Sequence, residues 1–408
     1  MPPPTVPGIV PVVAGERDMR GKSLLIMAFG QSNADVHNAG PRLEAPPLED
    51  PRLVVPDDGH GFRGLMGQAP KGPITGFEPF APHERRVMSL TAAAGARVLH
   101  EMGPEAPARV ILRSGAKGGR RLLGLRQGAR EVDGLLSTCS GDLSPLFEAF
   151  LRVTSEVCDA AMRDGPEVGA IAFLFAHGES ERQMVRAEYA ARLGGMMDVT
   201  ADVLAPLGLP MHWHLVQAAG PGAEGAGNAW PNRLALADVA TARGDATLAA
   251  AGYPWPLEDG VHYSAEGKAL LGEALGRSIA AQLSGQPRTL PHPVAAVAEG
   301  ARLLLDFAGE GPLALDHAPA SGRHGFEMAR GEVTGVRVDG RRVEVTLAEP
   351  ASGPEGLSYA WSSWAKGTRL PAIPGAALGG GGLRSAEGVA SILLPGRKIY
   401  DWVPGFSL

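Results

Sequence analysis

From residue 22 to residue 283 short apolar runs alternate with amphipathic stretches, and this alternation constrains the fold more than any other feature of the chain. Ser23-Leu24-Leu25-Ile26-Met27-Ala28-Phe29, then 109–113, 170–175 and 209–216, are too short for helices of a packed domain and read as buried strands. Between them 89–101, 146–162 and 187–204 read as helices. Leu90, Ala93, Ala94, Arg97 and Val98 give the first a single face, while Phe147, Phe150, Leu151, Val153, Val157 and Ala161 mark the second. Strands joined by helices predict a parallel sheet with helices on both faces, so the class is α/β.

After Gln282 the pattern changes. Residues 284–293 carry three prolines and read as a linker. Beyond it, Val336-Arg337-Val338 and Val343-Glu344-Val345-Thr346-Leu347 flank Asp339-Gly340, the signature of a β-hairpin. No long helical pattern follows, so 294–408 is expected to be a β-rich C-terminal domain after an α/β domain at 22–283. Residues 1–21 read as an irregular arm. The segment 34–86, dense in Pro, Gly and Asp, reads as a long irregular stretch facing the site.

The chemistry lies at the ends of these elements. Gly30-Gln31-Ser32-Asn33 closes the first strand with a glycine turn, which exposes the Ser32 hydroxyl at the C-terminal edge of a sheet. Far downstream, Asp259-Gly260-Val261-His262 stands just before a last helix beginning at Ser264. Serine, imidazole and carboxylate are the parts of an activated nucleophile: His262 as general base for Ser32, Asp259 holding the other ring nitrogen. Each motif alone also occurs as an ordinary turn or a helix cap. Their order and their places at a strand end and a helix start favour the catalytic reading. The turn is not a Gly-x-Ser-x-Gly elbow, because Ala34 stands at the fifth position.

Two further blocks complete a family likeness. Ser114-Gly115-Ala116-Lys117-Gly118-Gly119-Arg120 follows the second strand, and His177-Gly178-Glu179-Ser180 follows the third. With Gly-Gln-Ser-Asn and Asp-x-x-His, they make the chain resemble SGNH (GDSL-like) hydrolases, in the branch of sialate O-acetylesterases and carbohydrate esterases. The resemblance implies a flavodoxin-like core and hydrolysis of O-acetyl groups on carbohydrate, with no cofactor. It also implies an oxyanion hole from the backbone N–H groups of Ser32 and Gly119 and a side chain at position 177. The family has Gln there; His177 reads either as a substituted donor or as a packed histidine at a strand end. Gln31, Asn33, Arg120 and Glu179 are expected to bind substrate or support loops, Glu179 by accepting hydrogen bonds and Arg120 by holding a polar substrate group or a surface partner. Such relatives often carry a C-terminal β part. Tyr359–Trp364 and Tyr400-Asp401-Trp402 concentrate aromatics there, for packing or for stacking on sugar.

Composition removes other classes. The net charge is −6 and no long basic block occurs, which argues against nucleic acid as a partner. Cys139 and Cys158 are too few for a disulfide framework and are expected as unpaired thiols. The 11 histidines show no zinc spacing, so no metal is expected; His212 and His214 share a strand face. The first eight residues lack the charged and apolar regions of a secretory leader, and no apolar run approaches the roughly 18 residues of a membrane span. The expectation is a cytoplasmic protein, released if at all by lysis or with a particle. Its partner would be an O-acetylated glycan or another small acetyl ester. A different reading keeps the fold without the chemistry: a carbohydrate-binding or adhesion component of a phage-like particle or surface spike.

Overall fold

The computed structural model describes residues 15–36, 40–41, 43, 48–61, 73–81, 88–181, 184–219, 230–259, 261–316, 323–360 and 381–408. Up to residue 283 the elements are, in order, β1 (Ser23–Gly30), β2 (Leu53–Pro56), β3 (Phe77–Pro79), α1 (Leu90–Met102), β4 (Arg109–Ser114), β5 (Leu125–Gln127), β6 (Arg130–Val132) and α2 (Pro145–Asp164). They continue with β7 (Val168–Ala176), α3 (Arg186–Leu204), β8 (Met211–Gln217), α4 (Trp230–Ala242), β9 (Ala246–Ala251) and α5 (Ala265–Leu283). One sheet runs in the order β3-β2-β4-β1-β7-β8-β9. Six of its seven strands are parallel, and the edge strand β3 pairs antiparallel to β2.

β1 lies at the centre and every residue in it is buried. A strand covered on both faces reads as a continuous apolar run, and its side chains serve two cores. Leu24, Ile26 and Ala28 pack on the α1 and α5 side, with Leu271 and Leu275. Leu25, Met27 and Phe29 pack on the α2 side, where Phe29 meets Phe150 at 4.4 Å between ring centres. Full burial of each large apolar side chain is worth about 1.5–3 kcal/mol, so the turn that follows β1 is rooted in the firmest part of the sheet.

The mixed α/β architecture with a parallel sheet agrees with the sequence pattern, with two additions. β2 and β3 lie inside the segment read as irregular, and α4 and β9 were not legible. β9 reads Ala-Thr-Leu-Ala-Ala-Ala, with little β-branched content, and gains its strand identity from pairing with β8.

From His292 onward the described residues form β-structure without a helix. Four antiparallel strands lie in the spatial order His292–Glu299, Arg302–Ala308, Arg342–Leu347 and Val333–Asp339. The last two make the hairpin expected around Asp339-Gly340, with Gly340 at φ 60°. The stretch read as a linker is packed: Leu290 is buried, Arg288 pairs with Asp401, and a strand already starts at His292. The apolar core on the α5 side runs on into this part through Phe307, Val343, Leu357 and Val403. Trp402 is buried against Tyr253, a packing role; Trp361 and Trp364 lie outside the described residues. Cys139 and Cys158 form no disulfide, and His212 and His214 lie side by side on β8 with rings 5.0 Å apart. No helix among the described residues is long and apolar enough to cross a membrane.

Candidate active site

The site begins where β1 stops. Gly30 has φ 136°, and a Cβ there would collide with the Ala176 carbonyl of β7. Only glycine fits, and the chain turns sharply enough for the Gln31 N–H to bond that carbonyl at 3.1 Å. A single 3₁₀ turn, Ser32–Ala34, follows at the C-terminal edge of the sheet. Among the described residues nothing accepts the Ser32 N–H, as expected of the first amide of a helical turn.

Ser32, His262 and Asp259 meet above this edge. Ser32 Oγ lies 2.8 Å from His262 Nε2, and His262 Nδ1 lies 2.7 Å from Asp259 Oδ2. With Asp259 ionised, Nδ1 carries the proton, which leaves Nε2 free to accept from the serine hydroxyl. The other Asp259 oxygen accepts the N–H groups of His262 at 2.7 Å and Val261 at 3.0 Å. Burial works against this carboxylate, but the bonds from the His262 side chain and from these two amides outweigh it and hold the carboxyl below its usual range. The side chains of His262 and Asp259 are 39% and 52% exposed, so the relay opens to solvent and to an incoming substrate.

Asn33, the residue after the serine, grips the His262 loop on both sides. Its amide N–H bonds the Val261 carbonyl at 3.0 Å, and its carbonyl accepts the Tyr263 N–H at 3.2 Å. The same NH₂ reaches Glu179 Oε1 at 2.9 Å, while Gln31 Nε2 donates to Glu179 Oε2 at 2.5 Å and Gln31 Oε1 accepts the Ser180 N–H. Crowding by protein pushes the Glu179 carboxyl above the usual carboxylate range; its own N–H, Asn33, the Ala219 N–H and the charge of Arg233 pull it back in part. Gln31, Asn33 and Glu179 thus form one brace beneath the serine and the histidine. Each of them holds loops together through these bonds.

His177 requires a correction. Its ring is buried, with Nδ1 2.8 Å from the Tyr189 hydroxyl and Nε2 3.0 Å from the Arg120 carbonyl. The carbonyl can only accept, so Nε2 carries the proton and Nδ1 accepts from Tyr189. Both nitrogens are used, and no N–H remains for an oxyanion. Burial pushes the ring down to about 4, against the bond to Arg120, so it is a neutral packed histidine. What it holds is the glycine block. Arg120 is fixed at its carbonyl by His177 and at Nη1 by the Asp133 carbonyl, 2.8 Å away, so its guanidinium is a loop tie. Within that block Gly118 comes against Ser32: a Cβ on it would lie 3.5 Å from the serine Cβ. Gly119, the residue singled out in the sequence, is one peptide further on; both glycines are exposed, and among the described residues neither glycine N–H has an acceptor.

No protein-family model matches the chain, and no curated protein matches it. Solved structures do. A carbohydrate acetylesterase from Xanthomonas citri is 15% identical with a TM-score of 0.57, over 94% of this chain and 79% of that one. A protein from Arabidopsis thaliana is 17% identical with a TM-score of 0.42, over 65% of this chain and 98% of that one. NanS is 14% identical with a TM-score of 0.33, over 50% and 69%. At such identities the first likeness is one of fold, and fold alone does not fix an activity; the other two are too distant in shape to support an argument.

Two buried cations near the site were not visible as such in the sequence. Lys268 on α5 is 1% exposed and its Nζ donates to the Asp35 carbonyl at 2.6 Å, tying the helix after His262 to the turn after Ser32. Burial pushes its amine down to about 7, against the Asp35 charge. Arg233 on α4 is also 1% exposed. In a one-dimensional reading Lys268 sits in an ordinary amphipathic helix, and only the packing of α5 reveals its partner. Among the described residues no three His, Cys, Asp or Glu side chains converge to hold a metal ion.

Proposed function

We propose that the protein is a serine esterase of the SGNH type that removes O-acetyl groups from carbohydrate. One observation carries the reading: Ser32 Oγ, His262 and Asp259 form a continuous hydrogen-bonded relay, 2.8 Å and 2.7 Å, from residues 230 positions apart in the chain. In this reading the core, 22–283, is the flavodoxin-like SGNH unit and 294–408 its β-rich companion. The fold likeness to the Xanthomonas citri carbohydrate acetylesterase supports it over nearly the whole chain.

The chemistry follows from the geometry. His262 Nε2 takes the Ser32 proton as Oγ attacks the acetyl carbonyl carbon. The carbonyl oxygen becomes an oxyanion, met by the Ser32 N–H and by an N–H of the Gly118-Gly119 block. Each such donor is typically worth about 10²–10³ in rate. The imidazolium, offset by Asp259, then gives its proton to the departing sugar oxygen, leaving an acetyl group on Oγ. Water, deprotonated by the same nitrogen, attacks that acyl group, and as the bond to Oγ breaks His262 returns the proton to Ser32 and acetate leaves.

The test is acetate release from O-acetylated glycans and from p-nitrophenyl acetate, with Ser32→Ala alongside. Turnover by the natural protein and its loss, by at least about 10³-fold, in a folded Ser32→Ala variant is the expected result. Equal turnover by both would remove Ser32 as nucleophile. Glycan binding without acetate release would favour the adhesion reading.

A further inference from the structure

At the C-terminal edge of β8 and β9, three buried side chains of the α/β part reach into the β-rich part. Gln217 brackets Gly405, donating to its carbonyl at 3.0 Å and accepting its N–H at 2.6 Å. The Tyr253 hydroxyl reaches the Val403 carbonyl at 2.8 Å. The third is Arg233, and it alone is charged. Its Nη1 donates to the Ala360 carbonyl at 2.7 Å, in the β-rich part, and its Nη2 to the Ala219 carbonyl at 2.6 Å, just past β8.

A guanidinium removed from water is retained only where opposite charge and good acceptors surround it. The ionisable groups that face this one are Tyr263, Glu179 and Tyr253. Tyr263 directly follows His262, and Glu179 is the carboxylate that holds Asn33. The peptide at Ala219, whose carbonyl Arg233 fixes, also presents its N–H towards Glu179 and helps to lower that carboxyl. The cation therefore acts on the brace in two ways, by its charge on Glu179 and by its hydrogen bond to the Ala219 carbonyl beside it.

We propose that Arg233 is a positioning residue for the Ser32–His262 pair, holding the Glu179–Asn33 brace in place and anchoring it to the β-rich part at Ala360. This rests on the esterase reading. Without the guanidinium, Glu179 loses its counter-charge and the Ala219 turn its donor; Asn33 then no longer fixes Val261 and Tyr263, and His262 drifts from Ser32. Arg233 touches no reacting atom, so its loss affects kcat and leaves KM alone. Small displacements of a catalytic base are enough to cost about 10²-fold.

The experiment compares Arg233→Met, Arg233→Lys and Glu273→Gln in the full chain, with Ser32→Ala as the control for the esterase reading. Glu273 is a buried residue at another seam between the parts, accepting the Ile392 N–H at 2.9 Å, and serves as the purely structural comparison. Turnover of p-nitrophenyl acetate, melting temperature, and the rate at which a small organophosphonate captures Ser32 are measured per folded molecule. Arg233→Met should lose about 10–100-fold in kcat and equally in capture rate, with KM within about two-fold. Arg233→Lys, which keeps the cation, should fall between it and the natural protein and supplies the folded variant if Met is not tolerated. Glu273→Gln should lower the melting temperature alone. An Arg233→Lys or Arg233→Met protein with normal kcat and capture rate overturns the proposal, and so does an equal loss of both in Glu273→Gln. If Ser32→Ala retains turnover, the esterase reading fails first, and the capture rates are then void as a test of Arg233.

Discussion

At the scale of single residues, the members of the Ser32–His262–Asp259 relay are legible and their support is not. Ser32, Asp259 and His262 announce themselves because a turn after a strand and a loop before a helix are local features. Gly118 lies against Ser32 while Gly119 stands one peptide on, and one residue of offset along a loop leaves no sequence trace. His177 was read with two alternatives, and its neighbours decide for packing: Tyr189 and Arg120 take both nitrogens. That has a measurable consequence. The folded ring titrates at about 4 against 6.5 when unfolded, so between those values the unfolded chain binds a proton that the folded one refuses. Stability from this group is complete above about pH 6.5 and is lost as the pH falls towards 4. His212, also pushed down to about 4 by burial, acts in the same sense, whereas Glu179 and Glu181, both pushed up, act against it. His177→Gln isolates one contribution. Glutamine can donate to the Arg120 carbonyl and accept from Tyr189 without titrating, so turnover at neutral pH should be retained. Melting temperature should fall less between pH 7 and 4 in the variant than in the natural protein; parallel curves would mean that the ring is not held neutral.

At the scale of elements, strands with strong apolar runs and helices with one apolar face were readable, and those defined by their neighbours were not. β9 and α4 are the cases in point, and α5 adds another. It was read as a helix from its start at Ser264, yet its glycines carry information that propensity conceals. A Cβ on Gly276 would meet the Ala94 carbonyl and lie 2.6 Å from Arg97 Cβ on α1, so the two helices approach to backbone contact. Propensity alone says that Gly276→Ala stabilises the helix by about 1 kcal/mol. The contact says the opposite, because overpacking costs about 1–3 kcal/mol. We expect a net loss of stability in a urea titration. A gain in stability would mean that α1 and α5 do not touch there.

At the scale of the whole molecule, the sequence suggested two parts joined by a linker, and the packing around residues 284–293 tells against a loose tether. Leu290 and Arg288 are engaged, the core on the α5 side crosses into the β-rich part, and Gln217, Tyr253 and Glu273 are buried with partners in it. Leaving such polar groups without partners costs about 1–3 kcal/mol each, against a total stability of about 5–15 kcal/mol. A chain ended at residue 284 should therefore fail to give a folded monomer, as judged by circular dichroism and gel filtration. A stable, active truncation would refute the shared core. The partners that Arg233 and Gln217 find across the seam are backbone atoms of Ala360 and Gly405, while Tyr253 meets the Val403 carbonyl and the Tyr359 hydroxyl, and every amino acid has a carbonyl. Where the seam is addressed to the main chain it places little demand on the letters written beneath it, whereas Asp401 under Arg277, Tyr359 under Tyr253 and the shared apolar core are fixed by their side chains. Substitutions can accumulate around those main-chain contacts while the path of the β-rich part across the core stays put, so the architecture can outlast much of its spelling, with the side-chain pairs and the shared core the last to change.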